Sequence, residues 1–286
     1  MVIKDLRQAM QQRMFIIPFI AIHMFMLVAL AIEWHNIQDI STTLPAHRYT
    51  SRITFWFVAY VVLGVVLPLR TFNALQEETH EGNAELLMMA GISRWRIVRG
   101  KWLVHVGLVF VITASLFPYL IVRYFFGAFD FWENVIQLLG VIGCSLASGA
   151  LVIGASGYKS YTTRIIVTLI ALIYLLGTSI AVSSMAGAVS REVGGRIPTW
   201  ALIYGAIYAI GVFLILILLG LQLGRAHLKL SLLPWESSPT TAMLTMIICM
   251  PFILIAGTVA TCGYGGVVVE AILIYAFFQV DRGAKR

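Results

Sequence analysis

Apolar residues in this chain fall into long runs, and polar residues collect in the short connections between them. A helix rising about 1.5 Å per residue needs about 20 apolar residues to cross the hydrocarbon of a bilayer. Eight runs come close to that length, at residues 14–32, 53–72, 102–122, 135–156, 165–187, 199–223, 240–260 and 263–280. The last two meet at residues 261–266, as a tight turn between spans or the tip of a re-entrant hairpin. Two spans are favoured, because the combined stretch is too long for one helix. Ahead of the first run, Val2, Ile3, Leu6, Ala9 and Met10 recur at helical spacing, and Lys4, Asp5, Arg7, Gln8, Gln11 and Gln12 fill the other face. This predicts an amphipathic helix over residues 1–12, suited to the membrane interface. The plainer alternative is a basic tail that only sets topology.

Composition strengthens the membrane reading. Hydrophobic residues make up 60% of the chain and charged residues 12%, with a mean hydropathy of +0.90. A water-soluble fold cannot hide that much apolar surface, so lipid has to cover part of it. The formal charge of +7 does not point to nucleic acid, because the basic residues sit between apolar runs, where they set orientation. With both termini placed in the cytoplasm, only Arg48, Arg52, Arg123, Arg191 and Arg196 of the 20 Lys and Arg residues fall outside. Trp34, Trp56, Trp102, Trp132 and Trp200 lie near predicted span ends, as interfacial anchors do. No small-residue cleavage site follows the first run, so a removable leader is not expected. The expected protein is an all-α polytopic integral membrane protein of about eight transmembrane helices, with residues 1–286 forming a single transmembrane domain in the cell (inner or plasma) membrane.

Small and ionisable residues within the runs single out contacts. Gly140, Cys144 and Ser148 recur every four residues, and Gly220 and Gly224 form a GxxxG pair, both patterns that let helices approach closely. Pro18, Pro68, Pro118 and Pro251 are candidate kinks. Cys144, Cys249 and Cys262 read as packing residues, since no CxxC or Cys/His cluster accompanies them. Glu270 is the most conspicuous intramembrane charge. It either pairs with His23 or an arginine, lines a polar path, or makes a structural hydrogen bond between helices. Arg70 and His105 near the cytoplasmic face, and Arg123 near the outer face, are placed to extend toward water.

The connection at residues 73–101 differs from the others. Its acids come first, at Glu77, Glu78, Glu81 and Glu85, and its bases follow, at Arg94, Arg96, Arg99 and Lys101. Glu77, Glu81 and Glu85 share one helical face. Leu86, Leu87, Met88 and Met89 make an apolar knob beside it; Gly91 suits the end of that helix, and Ser93 the cap of the next. A solvated charged loop would account for the charges but not for the knob, which fits a groove on a partner.

This stretch resembles the loop after the second span in permease subunits of the ABC type-2 exporter family. The family pattern, E-x-x-x-G-T-x-E-x-L followed by a turn, a Ser and a G-K that opens the third span, is met by Glu78 or Glu77, Gly82, Glu85, Leu86, Leu87, Ser93, Gly100 and Lys101. Asn83 stands where Thr is usual, and Ala90-Gly91 where Thr-Pro is frequent. The family usually has six spans, so the last two runs fall outside the likeness. The resemblance implies that residues 81–93 are a coupling helix seated on a separate cytoplasmic ABC ATPase subunit, which binds the ATP and Mg. It also implies a second membrane subunit, identical or related. The chain itself lacks the phosphate-binding G-x-x-x-x-G-K-[ST], since Trp95 stands at the first glycine position and Trp102 follows Lys101. No HExxH, GxSxG or paired acidic metal motif appears, so no catalytic or metal site is expected. The reading is therefore a permease subunit and not an enzyme. The alternatives are a non-transporting scaffold or signalling subunit, and a proton-coupled secondary transporter that uses Glu270. The absence of an internal repeat speaks against the transporter.

Overall fold

Lipid offers backbone N–H and C=O groups no partners, so a chain this apolar has to satisfy them within helices or a closed barrel. The computed structural model describes residues 2–38, 55–76, 93–125, 131–158, 160–172, 175, 199–228, 272 and 275, and among them there are helices and no strands. Five described helices are long and apolar enough to cross a membrane. They match the first, second, third, fourth and sixth predicted runs. The fifth run starts as a helix at Tyr161, a turn earlier than the pattern suggested, and is described to Leu172. The seventh run, and the eighth apart from Ile272 and Tyr275, lie outside the described residues.

In chain order the elements are α1 (Val2–Gln11), α2 (Arg13–Gln38), α3 (Phe55–Asn73), α4 (Arg94–Phe125), α5 (Phe131–Ala155), α6 (Tyr161–Leu172) and α7 (Thr199–His227). Gln12 divides α1 from α2. Its N–H still bonds back to the Ala9 carbonyl, while its own carbonyl takes the N–H groups of Phe15 and Ile16 and so begins the next helix. α1 buries Ala9, turns Leu6 onto Gly107 of α4, and exposes Lys4, Arg7 and Gln8.

α5 is the hub. It packs against α7, α4 and α3, and 72% of its apolar window is buried in protein, against 28% for α2. α2 accordingly keeps a broad apolar face outward, including Ile17, Ile20, Met24 and Phe25, as a lipid-facing helix does. The tightest contact joins α5 to α7. A Cβ on Gly220 would lie 2.5 Å from backbone atoms of Ala150, and a Cβ on Gly154 would lie 2.5 Å from the Gly220 carbonyl oxygen. The two backbones touch, as the GxxxG spacing of Gly220 and Gly224 predicted. The other small-residue set meets α3: Tyr60 Oη lies over Gly140, and a Cβ on Gly64 would be 3.3 Å from Cys144 Sγ.

The prolines act unequally. α2 and α4 continue through Pro18 and Pro118. α3 changes form around Pro68, with a π-helical turn at Val62–Val66 before it and a 3₁₀ turn at Arg70–Asn73 after it. Pro68 has no N–H to give the Gly64 carbonyl, and the ladder around it is rebuilt with the Leu67 N–H on the Val62 carbonyl. Pro251 lies outside the described residues. α4, at 32 residues, is about 48 Å long, well beyond a bilayer core of about 30 Å.

Gly220→Val places a branched side chain against the Ala150 backbone and is expected to destabilise the bundle by about 1–3 kcal/mol or more. Gly100→Ala, with nothing within 4 Å of the new Cβ, is expected to stabilise α4 by up to about 1 kcal/mol. Thermal unfolding of the two variants in the same detergent should move in opposite directions.

Candidate functional site

Of the charged connection singled out in the sequence, residues 73–76 and 93–101 are described. Glu77, Glu78, Glu81, Gly82, Glu85, Leu86, Leu87, Met88 and Met89 lie outside the described residues, as does Glu270. Ser93 is exposed immediately before α4, and its carbonyl accepts from the N–H groups of Arg96 and Ile97, at 2.9 and 3.3 Å.

Both roots of the connection are buried in one place. Leu75, on the outgoing side, and Ile97 and Val98, on the returning side, share an apolar cluster with Ala150 and Ile153 of α5, Leu221 of α7 and Leu228 just beyond it. Polar contacts fix the outgoing root further. The Leu75 N–H donates to Ser156 Oγ at 3.1 Å, and that hydroxyl donates to the Ile153 carbonyl at 2.7 Å. Arg164 of α6 donates through Nη1 to Asn73 Oδ1 at 2.8 Å and to Gln76 Oε1. Arg70 donates to Gln12 Oε1 at 2.8 Å, which ties the end of α3 to the junction between α1 and α2. On the returning side the Arg99 guanidinium lies 4.4 Å from the Trp95 ring centre, and Trp102 Nε1–H donates to the Leu146 carbonyl. His227 donates from Nδ1 to the Leu223 carbonyl at 2.7 Å, and the Tyr158 ring packs on it. Burial pushes the Tyr158 phenol above its ordinary pKa.

Two ionisable side chains, His105 and Arg123, sit otherwise than their positions in the sequence suggested. His105 does not reach toward water. It is fully buried, its ring pressed over Gly149, with Nε2–H donated to the Ser145 carbonyl at 3.0 Å. Gly149 leaves the room and Ser145 supplies the acceptor, so α5 holds the ring inside. His23 pairs with neither glutamate nor arginine among the described residues; its Nδ1 is 3.0 Å from Tyr119 Oη, which links α2 to α4.

Arg123 does not extend toward water either; it is 0% exposed. Its Nε donates to both Glu33 carboxylate oxygens, at 3.0 and 2.8 Å, Nη2 lies 2.7 Å from Oε1, and Nη1 donates to Asn134 Oδ1 at 2.9 Å. The guanidinium also covers the Phe55 ring at 4.4 Å. One cation thereby joins α2, α3, α4 and α5 at the end of the bundle opposite the connection. The signal for this pair was present in the sequence: one acid closes the first run and one base closes the third, and alternate runs finish at the same end.

Truncating Arg123 would leave the Glu33 carboxylate buried without its cation, which costs about 3–5 kcal/mol. Arg123→Met is therefore expected to lower the unfolding temperature sharply. Adding Glu33→Leu should recover most of that loss, because an apolar pair replaces the charges together. A thermal-unfolding double-mutant cycle in detergent checks this; additive losses would contradict the pairing.

Compared with protein-family models, curated proteins and solved structures, the chain matches none. The functional reading therefore rests on the membrane character of the chain and on the two buried roots of its charged connection.

Proposed function

We propose that this chain is the membrane-spanning subunit of an ATP-driven exporter, and that residues 77–92 dock on a separate cytoplasmic ATPase subunit. The observation that carries this reading is the shared anchor of the two roots. A docking element transmits work only if its displacement moves the membrane helices. Leu75, Ile97 and Val98 are packed with Ala150, Ile153 and Leu221, so displacement of the connection bears directly on α5 and α7. A loop that only obeyed a charge rule would need no such anchor. The resemblance of residues 77–101 to the coupling loop of ABC type-2 permeases supports the same reading, as do the acidic face and the Leu86–Leu87–Met88–Met89 knob.

In this reading ATP and Mg bind the partner, and two copies of this chain, or this chain and a related one, face two ATPase subunits. α1 lies in the cytoplasmic interface, with Lys4 and Arg7 toward lipid headgroups and Leu6 and Ala9 toward α4. ATP-driven closure of the ATPase pair would push residues 77–92, and α3, α4, α5 and α7 would rock as a packed unit between inward- and outward-facing states.

Purified gently from its native membrane, the chain should bring down an ATPase subunit in about equal amount, and that complex should hydrolyse ATP. Changing Leu86, Leu87, Met88 and Met89 together to Ser should remove the ATPase while the chain still elutes as a single folded species. Glu85→Lys should weaken the association by about tenfold, the loss of one charge-assisted contact of about 1.4 kcal/mol. Recovery of the folded wild-type chain with no ATPase would overturn the reading.

A further inference from the structure

We infer that Arg164 is a positioning residue that clamps the outgoing root of the connection to α6, so that movement of residues 77–92 is passed to α6 as well as to α5 and α7. The inference rests on the function proposed above.

Arg164 lies one turn into α6, near the end of the bundle, where an arginine can reach water at little cost. It does not. It is 3% exposed and its guanidinium lies against the touching Phe72 and Tyr161 rings, with centroids at 5.2 and 5.6 Å. Its Nη1 holds two side-chain amide oxygens, from Asn73 and Gln76, and its Nε is buried without a hydrogen bond. Unlike Arg123, it has no carboxylate partner among the described residues. Burying a cation against neutral acceptors is a poor way to stabilise a helix pair, and a well-packed apolar side chain would serve better. What the arrangement does supply is directional attachment. Phe72, Asn73 and Gln76 occupy a single turn, the last one described before the connection, and one guanidinium grips all three.

The clamp also closes a circuit. Ser156, five residues before α6, accepts the Leu75 N–H, and Arg70, two residues before Phe72, donates to Gln12 between α1 and α2. Residues 70–76 are thereby attached to α1, to the end of α5 and to α6. Without Arg164 the root keeps its apolar cluster with α5 and α7, and its attachment to α6 is reduced to the edge-to-face contact of Phe72 with Tyr161 at 5.9 Å.

Hydrogen–deuterium exchange on the full chain, alone and in complex with the ATPase, tests this. Arg164→Met should speed exchange at the amides of residues 73–76 by about tenfold and leave α4 and α7 unchanged. The complex should still form. Adding Mg-ATP to the wild-type complex should change exchange at residues 73–76 and at 160–172; in Arg164→Met the first change should persist and the second should fall severalfold. Asn73→Ala with Gln76→Ala removes the acceptors from residues that are exposed or half-exposed, so it should fold normally and reproduce both effects even if Arg164→Met is poorly folded. Arg164→Lys, which keeps the charge and a donor, should restore part of the protection. Unchanged exchange at residues 73–76 in the isolated variants would overturn the clamp, whatever partner binds. An ATP-driven change that reaches residues 160–172 undiminished in both variants would overturn its role in transmission. If the wild-type chain recruits no ATPase, the proposed function fails and the transmission role fails with it, while exchange in the isolated chain still reports on the clamp.

Discussion

The rest of the bundle depends on the direct backbone contact between α5 and α7 at Ala150, Gly154 and Gly220. Lipid gives helices no hydrophobic reason to associate, so close approach and dispersion have to hold them together. α5 meets this demand along its whole length. Gly140 lies under Tyr60, Gly143 under the Phe213 ring, Gly149 under His105 and Gly154 against the α7 backbone. Each missing side chain on the hub makes room for part of a neighbour. The hub is thus a helix of recesses, and its partners supply the bulk. A hub built of large residues would hold the same neighbours farther apart and lose both the backbone contact and the recess that takes His105.

The two ends of the bundle solve different problems with the same residue type. Opposite the connection, Arg123 is satisfied by a carboxylate, an amide and an aromatic face, and it ties four helices into one arrangement. Such a pair is costly to break and gains little over apolar packing when intact, which suits a region that has to keep its geometry. At the connection end, Arg164 is held by amides and rings alone. Amide acceptors leave with less penalty than a buried carboxylate, so this attachment can be remade during movement. The chemistry thus grades from a fixed end to an adjustable one along the same helices.

How much of this the sequence disclosed depended on whether the information was periodic. Five of the eight apolar runs match described helices long enough to span, because a span is defined by length and polarity alone. Gly220 and Gly224 gave a true close contact, because spacing by four places small residues on one face. Arg123 and His105 were misplaced for a common reason. A charge near a span end has two low-energy solutions, water or a partner, and the partner is named by tertiary structure. Glu33 and Asn134, far apart in sequence, settle Arg123; Ser145 and Gly149 settle His105. In the sequence Arg164 is one basic residue among those that orient the chain, since two neutral amides and two rings carry no charge pattern to read.

The form of α3 brings these parts together. Its upper half is fixed by Tyr60 on Gly140 and by Gly64 against Cys144, and its last turn is gripped by Arg164, Ser156 and Gln12. The π turn at Val62–Val66 falls within the first section and the 3₁₀ turn at Arg70–Asn73 within the second, and Pro68 lies between them, where the regular ladder is already broken. A regular helix moved at its end transmits the full displacement along its axis. A helix with a π turn can change its hydrogen-bond register by one residue at modest cost, because both registers leave few groups unpaired. α3 therefore joins a held section to an attached terminal turn through the segment best suited to yield. In the proposed exporter, that segment is where movement of the connection would be converted into a change of helix form, with the contacts of α3 on α5 left in place.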